Sequence, residues 1–283
     1  MSTTPNIHKP VAIVTGASRG LGREIVKHLT ATGFAVAAVA RDSVGLRETC
    51  EISGGDATPY IADLSKLEEL PSLIYRITDD HAGAIDVLVN NAAVQGPMGL
   101  FDEQNFDDWK RVYDANLFAP MRLCQLVLPL MRKRNHGKII NLSGGGATAP
   151  RPHVTAYAGS KCAMARLTET LAVEYKPFGI DINAVAPGAM NTQMLQQTLA
   201  ANLPFEHDKA IHQQQTGGAP PAKAAELIAW LASAASDGIT GKLISAVWDH
   251  WRDLPSHQAD LEKFADLYTL RRVIPKDRGL SWE

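Results

Sequence analysis

Short runs of apolar residues alternate with longer amphipathic stretches, and this alternation constrains the fold more than any other feature of the sequence. The runs are VAIVT at 11–15, AVAAVA at 35–40, DVLVNN at 86–91, KIINLS at 138–143 and IDINAVAP at 180–187. Because nearly every position in them is apolar, each run is typical of a strand that is buried on both faces, as in a parallel sheet covered by helices.

Helical periodicity fills the intervals between these runs. After the first run, for example, Leu21, Ile25 and Leu29 recur at the spacing of one helix face. We therefore predict an α/β fold, a Rossmann-like doubly wound parallel sheet in three α/β/α layers, with residues 1–247 forming one domain.

The pattern is less regular beyond residue 187. We predict a polar loop at 188–219, a helix near 227–231 and a last strand at 242–247. Residues 248–283 form a C-terminal extension in which aromatic side chains stand among charges, namely Trp248, Trp251, Tyr268 and Trp282. Two interpretations of this extension stay open: a cover for an active site, or an oligomer contact, where Trp and Tyr are favoured anchors.

Charge and cysteine content exclude several classes of protein. Lys plus Arg total 28 against 30 Asp plus Glu, and a net charge of −2 gives no field that would attract nucleic acid or an anionic membrane. Cys50, Cys124 and Cys162 are widely spaced, which favours reduced thiols over a disulfide framework or a metal site. The N-terminus lacks a signal-peptide pattern and no apolar run approaches about 18 residues, so we expect a cytoplasmic protein with no membrane span.

A glycine-rich segment, TGASRGLG at 15–22, joins the first strand to the first helix. Gly16, Gly20 and Gly22 permit a tight turn and close approach of a ligand, and the helix N-terminus offers N–H groups to a pyrophosphate. The context of strand, glycines and helix predicts a dinucleotide site.

The end of the second run bears on which dinucleotide binds. Ala40 stands where a carboxylate would accept from the ribose hydroxyls of NAD, and Arg41 follows it. Arg41 and Arg19 together are suited to a 2′-phosphate, which favours NADP. Asp42 keeps NAD open, because a shift of one residue would bring its carboxylate near the ribose.

Tyr157 and Lys161 are spaced as neighbours on one helix face. An ammonium beside a phenol favours the phenolate, so we expect Lys161 to lower the pKa of Tyr157. Tyr157 would then exchange a proton with a substrate oxygen.

These motifs resemble, in order, those of the classical short-chain dehydrogenase/reductase family over about residues 9–247. They are TGASRGLG, the Asp63 of IADL, NNAA at 90–93, Asn116 in DANLFAP, YAGSK at 157–161 and APG at 186–188. The resemblance implies an oxidoreductase that transfers a hydride between a nicotinamide cofactor and a carbonyl or secondary alcohol substrate.

The resemblance also assigns roles to individual residues. Tyr157 would be the acid/base, Lys161 would bind the nicotinamide ribose, and Asn116 would position a water that links Lys161 to solvent. The cofactor-binding residues would be Gly16, Ser18, Arg19, Gly20, Leu21, Gly22, Arg41, Asp63, Leu64, Asn90, Ala92, Tyr157, Lys161, Pro187, Gly188 and Thr192.

One catalytic residue of the family is out of place. The family usually has a serine 13 residues before the tyrosine, and that position is Gly144 here, while Ser143 stands one place earlier. Either the glycines at 144–146 let the loop bulge and bring Ser143 into the site, or the donor is missing, as strand alternation favours. In the second case backbone N–H groups, Thr148 or His153 would replace it.

Three interpretations of the function follow. The first is an NADP(H)-dependent reductase, the second is the same chemistry with NAD(H), and the third is a regulatory homologue that binds nucleotide without turnover. The substrate would be a small carbonyl or alcohol. Polar side chains in the loop at 190–215 allow a hydroxylated, sugar-like one; they are Gln193, Gln196, Gln197 and His212. We expect a homo-oligomer, a dimer or a tetramer.

Overall fold

A seven-stranded parallel sheet forms the centre of the molecule, in a computed structural model that describes residues 9–281. The strand order is β3-β2-β1-β4-β5-β6-β7, so the chain crosses over between β3 and β4, and the doubly wound sheet is confirmed. The strands are β1 Val11–Thr15, β2 Ala35–Ala40, β3 Ala57–Ile61, β4 Val87–Asn90, β5 Gly137–Leu142, β6 Ile180–Ala186 and β7 Leu243–Ser245.

Helices cover both faces of the sheet. They are α1 Gly20–Ala31, α2 Ser43–Glu51, α3 Leu70–Asp80, α4 Phe106–Tyr113, α5 Ala119–Arg134, α6 Thr155–Tyr175, α7 Gln193–Ala201, α8 Pro204–Thr216, α9 Pro221–Ala232 and α10 Gln258–Lys263. Successive residues of β1 serve opposite cores, since Val14 packs with α1 and α9 whereas Ile13 packs with α3 and α5. The three-layer α/β/α prediction is therefore confirmed.

Two segments differ from the sequence-based expectation. Strand β3 was not predicted, because its residues are exposed at three of five positions and include Pro59, as befits a strand at the sheet edge. The segment 188–219 is not simply a polar loop, since it contains α7 and α8. Both helices contribute side chains to the cavity described below.

The described part of the C-terminal extension packs on its own domain. Trp251 is buried against Trp230, with ring centroids 5.3 Å apart. Further along, Lys242 Nζ donates to the carbonyl of Leu267, and the Leu243 N–H donates to the carbonyl of Tyr268 at 2.7 Å. The extension thus covers the outer edge of β7, which would otherwise be open to strand pairing.

Trp282 lies outside the described residues. Within residues 9–281, no helix combines the length and the apolar character that crossing a membrane requires.

Candidate active site

The glycine loop between β1 and α1 is held in close contact with the end of β4. A Cβ atom at Gly22 would overlap the carbonyl oxygen of Gly16, and one at Gly16, where φ is +66°, would lie 2.9 Å from Ala92 Cα. Asn91 Nδ2 donates to the Thr15 carbonyl at 2.8 Å and ties the loop to β4. Glycine is therefore required at positions 16 and 22 by packing.

The N-terminus of α1 is suited to an anion. Its N-cap residue, Arg19, makes no side-chain capping hydrogen bond, and the first turn carries no acidic residue. Gly20 has a φ of +54°, and a Cβ there would point into open space. The first-turn N–H groups and the positive end of the helix dipole can therefore face a pyrophosphate, so the residues present fit a dinucleotide.

At the tip of β2, the side chains of Arg41 and Asp42 make different contacts. The side chain of Asp42 caps α2 by accepting from the N–H groups of Val44 and Gly45 at 3.1 and 3.2 Å. Arg41 is 69% exposed, and its Nη1 lies 4.0 Å from Asp63 Oδ2. The carboxylate of Asp42 is thus engaged by α2, while the guanidinium of Arg41 is available at the cavity.

A cavity of about 1370 Å³ runs from this loop across the carboxyl ends of the strands. It is the place where open α/β sheets bind ligands. Of the residues predicted to bind cofactor, it is lined by Gly16, Ser18, Arg19, Gly20, Leu21, Gly22, Arg41, Asp63, Leu64, Ala92, Tyr157, Lys161, Pro187, Gly188 and Thr192. Ser143, Gly144, Thr148, Gln193 and Gln197 also line it.

Tyr157 and Lys161 lie on α6 and face the same cavity, both buried. Lys161 Nζ donates to the Leu142 carbonyl at 2.7 Å and stands 5.7 Å from the centre of the Tyr157 ring. Burial lowers the pKa of Lys161 to about 8. The spacing argument for one shared face holds.

The expected effect of Lys161 on Tyr157 is not found. Burial raises the pKa of Tyr157, and the cation that opposes this increase is Arg151. Lys161 instead donates to the Leu142 carbonyl, and burial lowers its own pKa. Spacing along a helix predicted that the two residues share a face, but it did not predict that both side chains are buried away from solvent.

Gly144, rather than Ser143, lies opposite the tyrosine. A Cβ atom at Gly144 would be 2.6 Å from Tyr157 Oη, so the phenol occupies the space of the missing side chain. Ser143 is buried, and its Oγ has no hydrogen-bond partner in the described part of the chain. The loop therefore shows no bulge that would bring Ser143 into the position of the family serine.

Asn116 lies in a π-helical turn, Asp114–Phe118, between α4 and α5. It is 1% exposed, and its carboxamide pairs with both the N–H and the carbonyl of Val94, at 2.8 and 2.9 Å. Its Nδ2 also lies 3.2 Å from Ser160 Oγ on α6. The side chain therefore fixes the loop after β4 against α6.

Five predicted residues do not line the cavity, and Asn116 is one of them. Asn90 donates to Asn141 Oδ1 at 2.8 Å across β4 and β5 and lies in the interior of the sheet. His153 has a φ of +63° in the loop before α6 and does not line the cavity. Gln196 and His212 are exposed on α7 and α8 and are not lining residues.

The structure brings further residues into the cavity that sequence reasoning missed, among them two pairs of polar side chains. Arg151 donates through Nε and Nη2 to Glu206 Oε2 of α8, at 3.1 and 2.9 Å. Gln95 is buried, and its Nε2 donates to Thr198 of α7 at 2.9 Å, while its Oε1 has no partner within residues 9–281. The only sequence signal for them was position, since Arg151 stands six residues before Tyr157.

Comparison with known proteins agrees with this geometry. The sequence model of the family described as short chain dehydrogenase matches residues 10–202. The chain is 36% identical over 234 residues to 3beta-hydroxysteroid dehydrogenase 1 of Eggerthella lenta, covering 81% of this chain and 88% of that protein.

Two solved structures are also similar. An actinorhodin polyketide ketoreductase with NADPH matches at a TM-score of 0.77 and 28% identity, over 84% of this chain and 95% of that one. A NAD⁺-bound xylitol dehydrogenase matches at a TM-score of 0.77 and 26% identity, over 85% of this chain and 98% of that one. Both nicotinamide cofactors thus occur among proteins of this fold.

Proposed function

The chain belongs to the short-chain dehydrogenase/reductase family of oxidoreductases, and we propose that it transfers a hydride between NADP(H) and a hydroxylated carbonyl compound or its secondary alcohol. One observation carries the proposal. A single cavity holds both the uncapped N-terminus of α1, suited to a pyrophosphate, and the buried pair Tyr157 and Lys161, suited to proton exchange.

The chemistry divides between cofactor and protein. A bound nicotinamide supplies or accepts the hydride. In carbonyl reduction Tyr157 gives its phenolic proton to the substrate oxygen, and in alcohol oxidation it takes that proton back. Lys161 would bind the nicotinamide ribose, and Asn116, which fixes the loop beside α6, would position the water that links Lys161 to solvent.

Preference for NADP(H) is supported by the tip of β2. Arg41 is a mostly exposed guanidinium at the cavity, with its Nη1 4.0 Å from Asp63 Oδ2, and Arg19 of the glycine loop lines the same cavity. Asp42 is committed to capping α2. A phosphate ester on the ribose would find two cations there, whereas a bare ribose would find no unengaged carboxylate at the strand tip.

Replacing Arg41 by alanine should raise the Kd for NADPH by about 10- to 100-fold and leave the Kd for NADH nearly unchanged, because charge-assisted hydrogen bonds contribute about 1.5–3 kcal/mol. Both constants are measured by cofactor fluorescence titration. The matched control is Arg47→Ala, which removes an exposed arginine of α2 outside the cavity. Equal weakening of both cofactors by Arg41→Ala contradicts the assignment.

A hydroxylated substrate is supported by Gln95. Its Oε1 is buried without a partner, and leaving a buried acceptor unsatisfied costs about 1–3 kcal/mol. A substrate hydroxyl would satisfy it. The fold neighbour that carries the name xylitol dehydrogenase is consistent with a polyol in such a cavity.

The substrate class is tested with pairs of ketones that differ by one hydroxyl beside the carbonyl. We expect kcat/KM to favour the hydroxylated partner by about 10- to 100-fold, and Gln95→Met to remove most of this preference. The control, Gln104→Met, changes a glutamine outside the cavity that donates to the Gly99 carbonyl. Equal kcat/KM for the two ketones of every pair contradicts the proposed substrate class. If the protein binds the cofactor but reduces none of the ketones, the regulatory interpretation is favoured.

The division into a domain at 1–247 and an extension at 248–283 also remains a proposal. Trp248, which is 83% exposed, lines the cavity and is suited to covering it, whereas Trp251 belongs to the core. A homo-oligomer is supported by exposed apolar side chains on α4, the π-helical turn and α5, namely Phe106, Phe118 and Met121.

A further inference from the structure

We propose that Arg151 donates a hydrogen bond to the substrate oxygen during hydride transfer, in place of the side chain that is missing at Gly144. This inference deepens the proposed function and rests on it. Its premise is that Tyr157 faces a glycine where the family places a second donor. An oxygen that gains negative charge in the transition state still needs such a donor.

The position of Arg151 is suited to this role. Its guanidinium carbon lies 5.5 Å from the centre of the Tyr157 ring, and both side chains line the cavity. Arg151 lies on the loop between β5 and α6, which also carries Gly144. The cation thus lies beside the ring of the proton donor.

The glycine run makes this placement sterically feasible. Gly146 has a φ of +100°, and a Cβ there would lie 2.6 Å from Ala158 Cβ, so glycine lets the loop approach α6 closely. A Cβ at Gly145 would have Arg151 Cδ at 3.8 Å and Nη1 at 3.9 Å, so the arginine side chain passes beside this glycine. The run therefore brings Arg151 toward the site.

Glu206 orients the guanidinium and leaves donors free. It is 7% exposed in its side chain and accepts from Nε and Nη2 of Arg151 through a single oxygen. A guanidinium has five N–H donors, and these two bonds leave both donors of Nη1 available. Since arginine stays protonated at working pH, Arg151 is a fixed donor and does not compete with Tyr157 for the acid role.

The chemical step balances without a further reactant. In reduction the hydride from the reduced nicotinamide forms the C–H bond, and the electron pair of the carbonyl π bond moves onto oxygen. Tyr157 then supplies the proton to that oxygen, giving the secondary alcohol and the oxidised nicotinamide. Arg151 keeps its protons throughout and stabilises the developing negative charge.

The experiment compares Arg151→Met, Gly144→Ser and the double variant. Arg151→Met should lower kcat by about 10² to 10³ with KM nearly unchanged, since it removes an interaction made in the transition state. Gly144→Ser would place a Cβ 2.6 Å from Tyr157 Oη, so the phenol must shift to admit it, and we expect only a partial recovery of kcat in the Arg151→Met background. The same serine should not raise kcat in the wild-type background, where Arg151 already donates to the substrate oxygen.

Two further variants serve as controls for this experiment. Arg151→Lys keeps the charge but not the forked geometry, and we expect it to retain more kcat than Arg151→Met. It also serves if Arg151→Met fails to fold. Arg111→Met is the matched control, because Arg111 is an exposed arginine of α4 that pairs with Asp108 outside the cavity.

A measurement without substrate separates this inference from the proposed function. Ultraviolet difference titration of each protein against the same protein carrying Tyr157→Phe isolates the phenol of Tyr157. Arg151→Met should raise the pKa of that phenol, because Arg151 is the cation that lowers it. This readout stays meaningful even if no tested ketone is reduced.

The outcomes discriminate as follows. A kcat for Arg151→Met within about threefold of wild type overturns the proposal. So does an equal loss of kcat in Arg151→Met and Arg151→Lys with an unchanged Tyr157 titration, since Arg151 would then act only by holding α8. If the wild type reduces no ketone, the proposed function fails, and an unshifted titration then overturns the Arg151 proposal as well.

Discussion

Replacing Tyr157 by phenylalanine should lower kcat for hydride transfer by about 10² to 10⁴, which is the usual contribution of a positioned acid or base. The substitution removes one phenolic oxygen from a buried residue and leaves the ring in place. The N-terminus of α1 and the strand tips are untouched, so cofactor affinity should stay the same. Turnover is followed by nicotinamide absorbance and affinity by fluorescence titration.

The matched control for this variant is Tyr175→Phe. Tyr175 is the last residue of the same helix, α6, and it lies outside the cavity. We expect wild-type kcat from it. If Tyr157→Phe retained full turnover, the assignment of Tyr157 as the proton donor would be wrong.

The pH dependence of turnover follows from the environment of Tyr157. Burial raises the pKa of Tyr157, so the phenol stays protonated at neutral pH and also at pH values near the ordinary pKa of tyrosine. Carbonyl reduction needs the protonated form and should therefore be level across neutral pH. Alcohol oxidation needs the phenolate, so its rate should still be rising in alkaline solution, as rate measurements in both directions would show.

The sheet was largely predictable because its central strands are apolar at nearly every position. The runs at 11–15 and 35–40 coincide with β1 and β2, and the others differ from the observed strands by a few residues at their ends. Such strands are buried on both faces, and sequence alone reveals that. Strand β3 was missed because only Ala57 and Tyr60 are buried in it.

Helices α7 and α8 were missed for a related reason. In α7 only Leu195 and Thr198 are buried, and α8 is rich in polar residues such as those at 212–215. Neither helix presents a broad apolar stripe, because both border a cavity instead of packing wholly against the sheet. A periodicity argument finds helices by their apolar face and fails where that face is narrow.

The candidate site also contains residues that the sequence predicted and residues that it did not. Residues that lie together in the sequence, such as the glycine loop and the pair Tyr157 and Lys161, were predicted to share a cavity, and they do. The pairs Arg151 with Glu206 and Gln95 with Thr198 join residues 55 and 103 positions apart. Only the folded chain brings such residues together, and the burial that raises the pKa of Tyr157 is likewise a tertiary property.

Replacing Gly22 by alanine should destabilise the domain and impair cofactor binding together. The added Cβ would overlap the Gly16 carbonyl oxygen and lie 2.8 Å from Asn91 Nδ2, so α1 must move away from β1 and β4. Overpacking of this kind costs about 1–3 kcal/mol or more. For a chain of this size, the melting temperature should fall by several degrees, on the order of 5–10 °C.

The same displacement moves the first-turn N–H groups of α1 away from the pyrophosphate. Loss of one such charge-assisted hydrogen bond raises Kd by about 10- to 100-fold. The control is Gly145→Ala, where the nearest atom to the new Cβ would be Arg151 Cδ at 3.8 Å, an ordinary contact, so melting temperature and cofactor affinity should both hold. If Gly22→Ala matched that control in both measurements, the close contact between the glycine loop and α1 would not constrain the cofactor site. Glycine at this position would then reflect only the local turn.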